Sequence, residues 1–447
     1  MILKNEIPEI LIQVKFLFGF SLLSFLLSIV IIFRFKKLII IYFLTIILTV
    51  LISIFVFVVT KGQDIDYSLD YTHLNYLNDG KIELPKIKEN QINDLVKNFS
   101  FEKNTNIVFF IFESVNSESF IQAQNSQKLI DEANVIINNF FIPIPHTSSS
   151  IYSLLYGDYG SYGFRKDINL QKNKLSLPRV LKSKGYKNYF LTTSPLHFDN
   201  IYNYLSHLPI EVKDIESFKK KYPKEEFFEW GLDDKILLDE TKLLFEENRE
   251  SILLYYFFSN THSPYYSKGN DEQPINRFKK ALEYDLSIMI EIINYIKLKN
   301  KNSVFVILGD HGESFGEHGF HKHGFSLYNT EIKIPFYLIL PNYNKKVTID
   351  TGTILDINHS LLSLTDLQTD SLNSNQNFFS KKYQLQLNLR TWGDVNSRGL
   401  IVNDTKWIFD FKNQILLKMD LAETSISNIS KSKLAVKFGN MLKFLLD

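Results

Sequence analysis

Two long runs without a charged residue, 16–33 and 38–60, open the hydropathy pattern of the chain. A bilayer core takes about 20 apolar residues in helical form, so both runs are predicted to be transmembrane helices. Two buried core helices, or a signal peptide with one helix, are the alternatives. No small-residue cleavage site follows the first run, and the second is too long for a signal h-region. Arg34, Lys36 and Lys37 fill the short gap between the runs. By the positive-inside bias that gap is cytoplasmic, and everything after Thr60 lies on the outer, periplasmic face of an inner (cytoplasmic) membrane. Residues 63–104 are polar and mixed, with Asn78-Asp79-Gly80 and Pro85, and read as a linker. The pattern thus divides into a two-helix membrane anchor (1–62), a linker (63–104) and one large domain (105–447).

Within the large domain, short apolar runs alternate with helix-like segments. Asn106 to Phe112, Asn188 to Thr193, Ile252 to Ser259, Ser303 to Leu308 and Ile334 to Leu340 read as buried strands. Leu177 to Lys182 and Arg277 to Leu298 read as helices between them. Strand alternating with helix predicts an α/β fold with a doubly wound, mostly parallel sheet. From about residue 385 the runs are short and turn-bounded, which predicts a small C-terminal antiparallel sheet.

Composition narrows the chemistry. The chain of 447 residues carries a net charge of +1, so nothing points to nucleic acid as a partner. It has no Cys, which excludes disulfides, thiolate zinc sites and a Cys nucleophile. Its ten His are unevenly spread: four of them, His311, His318, His321 and His323, fall in one Gly-punctuated loop with Asp310, Glu313 and Glu317. That density of imidazole and carboxylate predicts a metal site.

Three predicted strands end in polar groups: Glu113, His262 and the pair Asp310-His311. Open α/β sheets bind ligands at the carboxyl ends of their strands. A carboxylate directly after an all-apolar strand is costly unless something pairs with it. Taken singly, Glu113 fits a helix N-terminus and His262 a cap; at one rim they suggest a functional site. His146-Thr147-Ser148-Ser149-Ser150 opens a helix-like run that stops at Gly157. Thr147 or Ser148 suits an N-cap, and the same position suits a nucleophile, because helix N-terminal N–H groups stabilise a bound anion.

Asp310-His311-Gly312-Glu313-Ser314-Phe315-Gly316-Glu317, with His323-Gly324 beyond it, resembles the signature of phosphoethanolamine transferases. Phe112-Glu113-Ser114 and Thr261-His262-Ser263-Pro264-Tyr265 are similar to two further blocks of these enzymes, and Thr147 stands at the family spacing before Gly157. The chain is therefore identified as resembling the sulfatase/alkaline-phosphatase-like superfamily over roughly 105–430. Within it, it resembles the membrane-anchored phosphoethanolamine transferases and the lipoteichoic acid synthase-type phosphoglycerol transferases.

The resemblance implies a sulfatase-like catalytic domain holding a divalent metal, Zn or Mn, on Glu113, Thr147, Asp310 and His311. Thr147 would attack the phosphorus of a phospholipid donor, giving a phospho-threonine and releasing diacylglycerol. An envelope glycan or lipid acceptor would then take the phosphoethanolamine. His262 and His323 would contact the phosphate and move protons; His318 and His321 are candidates for substrate contact or a second ion, with solvated loop His as the alternative. Ser148 is the alternative nucleophile. A phosphoglycerol transferase and a phosphodiesterase or sulfatase-type hydrolase are the alternative activities. A sulfatase nucleophile stands in a Cys/Ser-x-Pro-x-Arg context, whereas this chain has Thr147-Ser148-Ser149-Ser150-Ile151, which disfavours formylglycine chemistry.

Overall fold

Every side chain of strand β1 (Asn106–Phe112) is buried, and successive residues enter opposite layers. Ile107, Phe109 and Ile111 belong to one hydrophobic core, and Val108, Phe110 and Phe112 to the other. A strand covered on both faces needs apolar residues at every position, which is why its sequence runs rather than alternates. Each buried Phe contributes roughly 2–3 kcal/mol, so the strand that carries Glu113 at its end is firmly anchored. The computed structural model describes residues 104–430 except 160–174, 198–200, 226, 229, 267–272, 366–372, 393–396 and 414, together with Leu95 and residues 99–101. The apolar runs 16–33 and 38–60 and most of the linker lie outside the described residues. No helix among the described residues is long and apolar enough to cross a membrane.

The further strands of the large sheet are β2 (Val135–Phe141), β3 (Lys187–Thr192), β4 (Glu211–Lys213), β5 (Ile252–Phe258) and β6 (Ser303–Gly309). A two-stranded ribbon follows, β7 (Ser314–Phe315) with β8 (His321–Lys322); then β9 (Lys333–Ile334), β10 (Phe336–Ile339) and β11 (Val347–Thr353) complete the large sheet. Its order is β11-β2-β10-β6-β1-β5-β3-β4, with β9 paired to β2. β6, β1, β5, β3 and β4 are parallel. β10 is antiparallel to both β6 and β2. The chain thus forms a mixed α/β fold with a large, mostly parallel sheet. β12 (Gln386–Arg390), β13 (Ser397–Val402), β14 (Thr405–Asp410), β15 (Ile415–Asp420) and β16 (Ile426–Ser430) form the expected antiparallel sheet.

Three expectations change. The single strand at 334–340 is split at Pro335 into β9 and β10, because proline lacks the N–H a continuous ladder would use. β2 and β11, which pair in parallel, were not anticipated. The helix Thr147–Tyr156 has His146 as its N-cap, so Thr147 is the first helical residue and not the cap.

Candidate active site

β5, β1 and β6 are neighbours, and the residues after them continue the ladder by one step. Glu113 N donates to Phe258 O at 3.1 Å, and Asp310 N donates to Phe112 O at 3.0 Å. The three strand ends therefore form one rim. Two glycines bracket Asp310-His311 on that rim. A Cβ at Gly309 would lie 2.1 Å from Val115 O, and one at Gly312 would lie 2.0 Å from Thr330 O. Both contacts are with backbone, so no side-chain adjustment relieves them; only glycine lets the chain turn here.

Glu113, Thr147, Asp310 and His311 meet at this rim. His311 Nδ1–H donates to Gly312 O at 3.0 Å, which leaves Nε2 as the lone-pair nitrogen. That Nε2 lies 3.1 Å from Thr147 Oγ1, 3.4 Å from Glu113 Oε1 and 3.4 Å from Asp310 Oδ2. Thr147 Oγ1 donates to Glu113 Oε2 at 3.1 Å. Asp310 Oδ1 accepts from Ser114 N at 2.9 Å and His311 N at 2.6 Å. Its Oδ2 is buried with no hydrogen-bond partner among the described residues. Two carboxylates, a hydroxyl and an imidazole lone pair crowded this closely repel one another unless a cation lies between them. The donor set therefore fits a divalent ion; mixed oxygen and nitrogen ligands suit Zn or Mn. Burial pushes the Glu113 carboxyl up, but the His311, His262 and His323 imidazoles outweigh it and hold it well below the usual carboxylate range. Asp310 is driven the other way by burial and then by the Glu113 charge. Burial pulls the His311 imidazole down, and Glu113 reverses that, leaving it raised.

His323 joins the same cluster. Ring atoms of His323 and His311 and a Glu113 oxygen lie within 4.8 Å of one another, and the two imidazole centroids are 4.0 Å apart. His323 Nδ1 is held by Glu313 Oε2 at 2.9 Å. His262 faces the rim from β5; its Nδ1–H donates to Ser263 O at 2.7 Å, and its ring stacks on Trp230 at 3.9 Å and 6°. Burial lowers the His262 pKa, with Glu113 pulling back. His318 is turned to other partners: it stacks on Tyr328 at 3.7 Å and approaches Glu423 Oε2 at 3.9 Å. His321 is exposed on β8. Neither belongs to the cluster of Glu113, His311 and His323.

Three features escaped the sequence. His146 stacks on Trp392 at 3.7 Å and 15° and shares a contact of 3.1 Å between its Nδ1 and Ser148 Oγ. Burial, then His323 and His311, hold the His146 pKa well below the ordinary imidazole value. The Ser148 hydroxyl is thereby drawn to His146, while Thr147 faces the cluster. Ser114 carries φ +62, the left-handed region that disfavours side chains. Its N–H holds Asp310, and its Oγ donates to Glu113 Oε1 at 2.9 Å. A Ser directly after Glu113 was the only signal for it.

Residues 105–367 match the family model described as Sulfatase. The chain belongs to the sulfatase family. A stretch of 160 residues is 26% identical to the phosphoethanolamine transferase EptA of Helicobacter pylori, covering 30% of this chain and 31% of that relative. The match thus spans about a third of the curated relative's length. Among solved structures, the lipoteichoic acid synthase LtaP of Listeria monocytogenes superposes with a TM-score of 0.58 at 17% identity, covering 80% of this chain and 97% of that one. An alkaline phosphatase superfamily protein of Vibrio parahaemolyticus gives 0.56 at 16% identity, covering 80% and 98%. The periplasmic domain of EptC from Escherichia coli gives 0.51 at 15% identity, covering 72% and 97%. These three are similar in fold.

Proposed function

We propose that this chain is a metal-dependent transferase that moves phosphoethanolamine from a phospholipid to a cell-envelope glycan or lipid through a phospho-threonine intermediate. The observation that carries the reading is the convergence of Glu113, Thr147, Asp310 and His311 on one buried point, with Thr147 in direct contact with two of the others. The Helicobacter relative, a phosphoethanolamine transferase by name, supports the choice of head group. The apolar runs at 16–33 and 38–60 support an inner-membrane, multi-pass location near a lipid donor, with the catalytic domain on the periplasmic face.

Glu113, Thr147, Asp310 and His311 would hold the ion. When bound, a divalent ion there supplies Lewis acidity, favouring ionisation of a neighbouring hydroxyl and offsetting phosphoryl charge. The rest is done by side chains. Thr147 Oγ1 gives up its proton and attacks the phosphorus; the bond to the diacylglycerol oxygen breaks, and that oxygen takes a proton. Glu113 Oε2 already accepts the Thr147 hydrogen bond and orients the oxygen for attack. His262, with Nδ1 bonded to a carbonyl, keeps Nε2 for the substrate; His323 is oriented by Glu313. These two are the proton carriers for the leaving diacylglycerol oxygen and the incoming acceptor hydroxyl. The acceptor oxygen then attacks the same phosphorus and Thr147 is released.

The test is to incubate the full-length chain in detergent with a phospholipid labelled in its head group, with metal and without acceptor. Label held covalently by the native chain and by Ser148→Ala, and absent from Thr147→Ala, is the expected result. Label on Thr147→Ala but not on Ser148→Ala would move the nucleophile to Ser148. Free head-group phosphate with no protein-bound label would make the chain a hydrolase.

A further inference from the structure

Behind the β5 end of the rim lies a buried acidic cluster that the proposed chemistry does not use. Asp234 and Asp285 are both fully buried. Asp234 is saturated: Thr193 Oγ1 donates to its Oδ1, and Ser259 N and Asn260 N donate to its Oδ2 at 2.7 and 2.8 Å. Asp285, on the long helix Pro274–Lys299, has one donor only among the described residues. Asn260 Nδ2 reaches its Oδ1 at 2.6 Å. Asp285 Oδ2 and Asn260 Oδ1, the other halves of the same two planar groups, are both buried with no hydrogen-bond partner among the described residues.

Two orphan acceptors on groups already joined by one bond have a simple common remedy. An ionised carboxylate satisfies neither of them. A protonated one satisfies both, because an O–H on Oδ2 donates to Asn260 Oδ1 and closes a ring of two hydrogen bonds. Leaving both oxygens unpaired would cost about 1–3 kcal/mol for each. The groups that face Asp285 favour the same state. Burial, then the Asp234 charge, and also Asp233, push its proton affinity well above the usual range, against the single bond from Asn260. Asp233 accepts the Tyr284 hydroxyl. Burial pushes Asp234 up as well, to about 7, but its three donors pull it back, so it is the member of the pair that ionises first.

We propose that Asp285 is a neutral carboxylic acid, locked to Asn260 in an acid–amide pair, and that this pair positions the turn 259–262 for the reaction. The turn reaches the site twice. Thr261 Oγ1 donates to the Glu113 carbonyl at 2.6 Å, and His262 follows directly. Asp285 is thus a positioning residue, acting through Asn260 and Thr261. The positioning role rests on the function proposed above; the neutral acid does not.

The test compares Asp285→Asn and Asp285→Ala in the full-length chain in detergent. An Asn side chain can reproduce both bonds, accepting from Asn260 and donating to it. Asp285→Asn should therefore unfold within about 2 °C of the native chain near pH 5 and keep head-group release within about twofold in kcat/KM. Asp285→Ala should lose at least about tenfold in kcat/KM. In the native chain the folded state keeps a proton that the unfolded chain releases, so native stability falls as pH rises. The unfolding midpoint of Asp285→Asn should accordingly gain on the native one by roughly 2 °C per pH unit from about pH 5 to about pH 8. A constant gap across that range, or an Asp285→Asn chain as impaired as Asp285→Ala, overturns the neutral acid. A native chain that releases no head group, with the pH-dependent gap intact, rejects the proposed function and the positioning role but leaves the acid–amide pair standing.

Discussion

Thr147 Oγ1 and His311 Nε2 lie 3.1 Å apart across 164 residues of sequence. His311 is fixed from behind by its bond to Gly312 O, so its lone pair has one direction to face, and the first residue of the helix Thr147–Tyr156 meets it there. A bound cation would relieve this crowding. Chelation of the purified chain should therefore lower its unfolding midpoint, and restoring Zn or Mn at about a hundred times the dissociation constant should return about 3 kcal/mol. The shift should vanish in His311→Ala. An unchanged midpoint on adding metal to the native chain would argue against the ion.

Gly309 should tolerate no side chain. A Cβ there would meet Val115 O at 2.1 Å and its carbonyl carbon at 3.2 Å. Relief requires moving the backbone after β1 or β6, which carry Glu113 and Asp310. Gly309→Ala is expected to cost about 3 kcal/mol in urea unfolding and to abolish head-group release. A variant of native stability would show that the rim can shift.

Ser114 should separate the effect of backbone strain from that of its hydroxyl. Its φ of +62 is strained for any residue with a Cβ. Ser114→Gly should relieve about 1 kcal/mol of strain, and it removes the hydroxyl that donates to Glu113. Losing that bond offsets the relieved strain, so no net rise in unfolding midpoint is expected, with at least roughly a tenfold loss of turnover. Ser114→Ala, which keeps the strain and loses the hydroxyl, should lose turnover equally and be about 1 kcal/mol less stable than Ser114→Gly. A Gly variant no more stable than the Ala variant would count against strain at this position.

Asp356 lends a pH dependence unconnected with the rim. Burial pushes its carboxyl up to about 7, against the hydrogen bond from Tyr383 OH at 2.8 Å. The unfolded value is near 3.9. A raised folded value means the folded chain binds the proton more tightly than the unfolded one. This stabilisation is complete below about pH 4, fades as pH rises to about 7, and is gone above that. Its full size is on the order of 4 kcal/mol. Asp356→Asn, measured by chemical unfolding across that window, should flatten the decline; an identical decline would place the titration elsewhere.

The strand ends that carry chemistry were legible because β1, β5 and β6 are buried on both faces and so appear as unbroken apolar runs. β2 was not legible for the opposite reason. Its Asn138 and Asn139 interrupt the run, and Asn138 is exposed. β11 next to it at the sheet edge alternates, with Thr348 and Asp350 exposed. The Asp-His-Gly-Glu loop announced a metal site, yet its imidazoles divide by contacts that sequence does not carry. His323 is held to Glu313 ten residues away, whereas His318 lies flat on Tyr328. The stacks of Trp230 on His262 and Trp392 on His146 join segments with no common pattern.

The order of strands in the large sheet sets the order in which this protein can come into being. β1 emerges early, all apolar, and both its partners are far downstream: Asn106 bonds Ile252 N across 146 residues and Ser303 Oγ across 197. Closing such loops adds little to the final free energy difference but delays the search for it. Until β5 and β6 have been synthesised, β1 is a sticky strand with both edges open. The rim is therefore complete only once β6 has joined β1. A nascent chain that ends before Asp310 holds Glu113 and Thr147 without the other half of the cluster, so the wiring of the sheet itself withholds the site until the core around it can close.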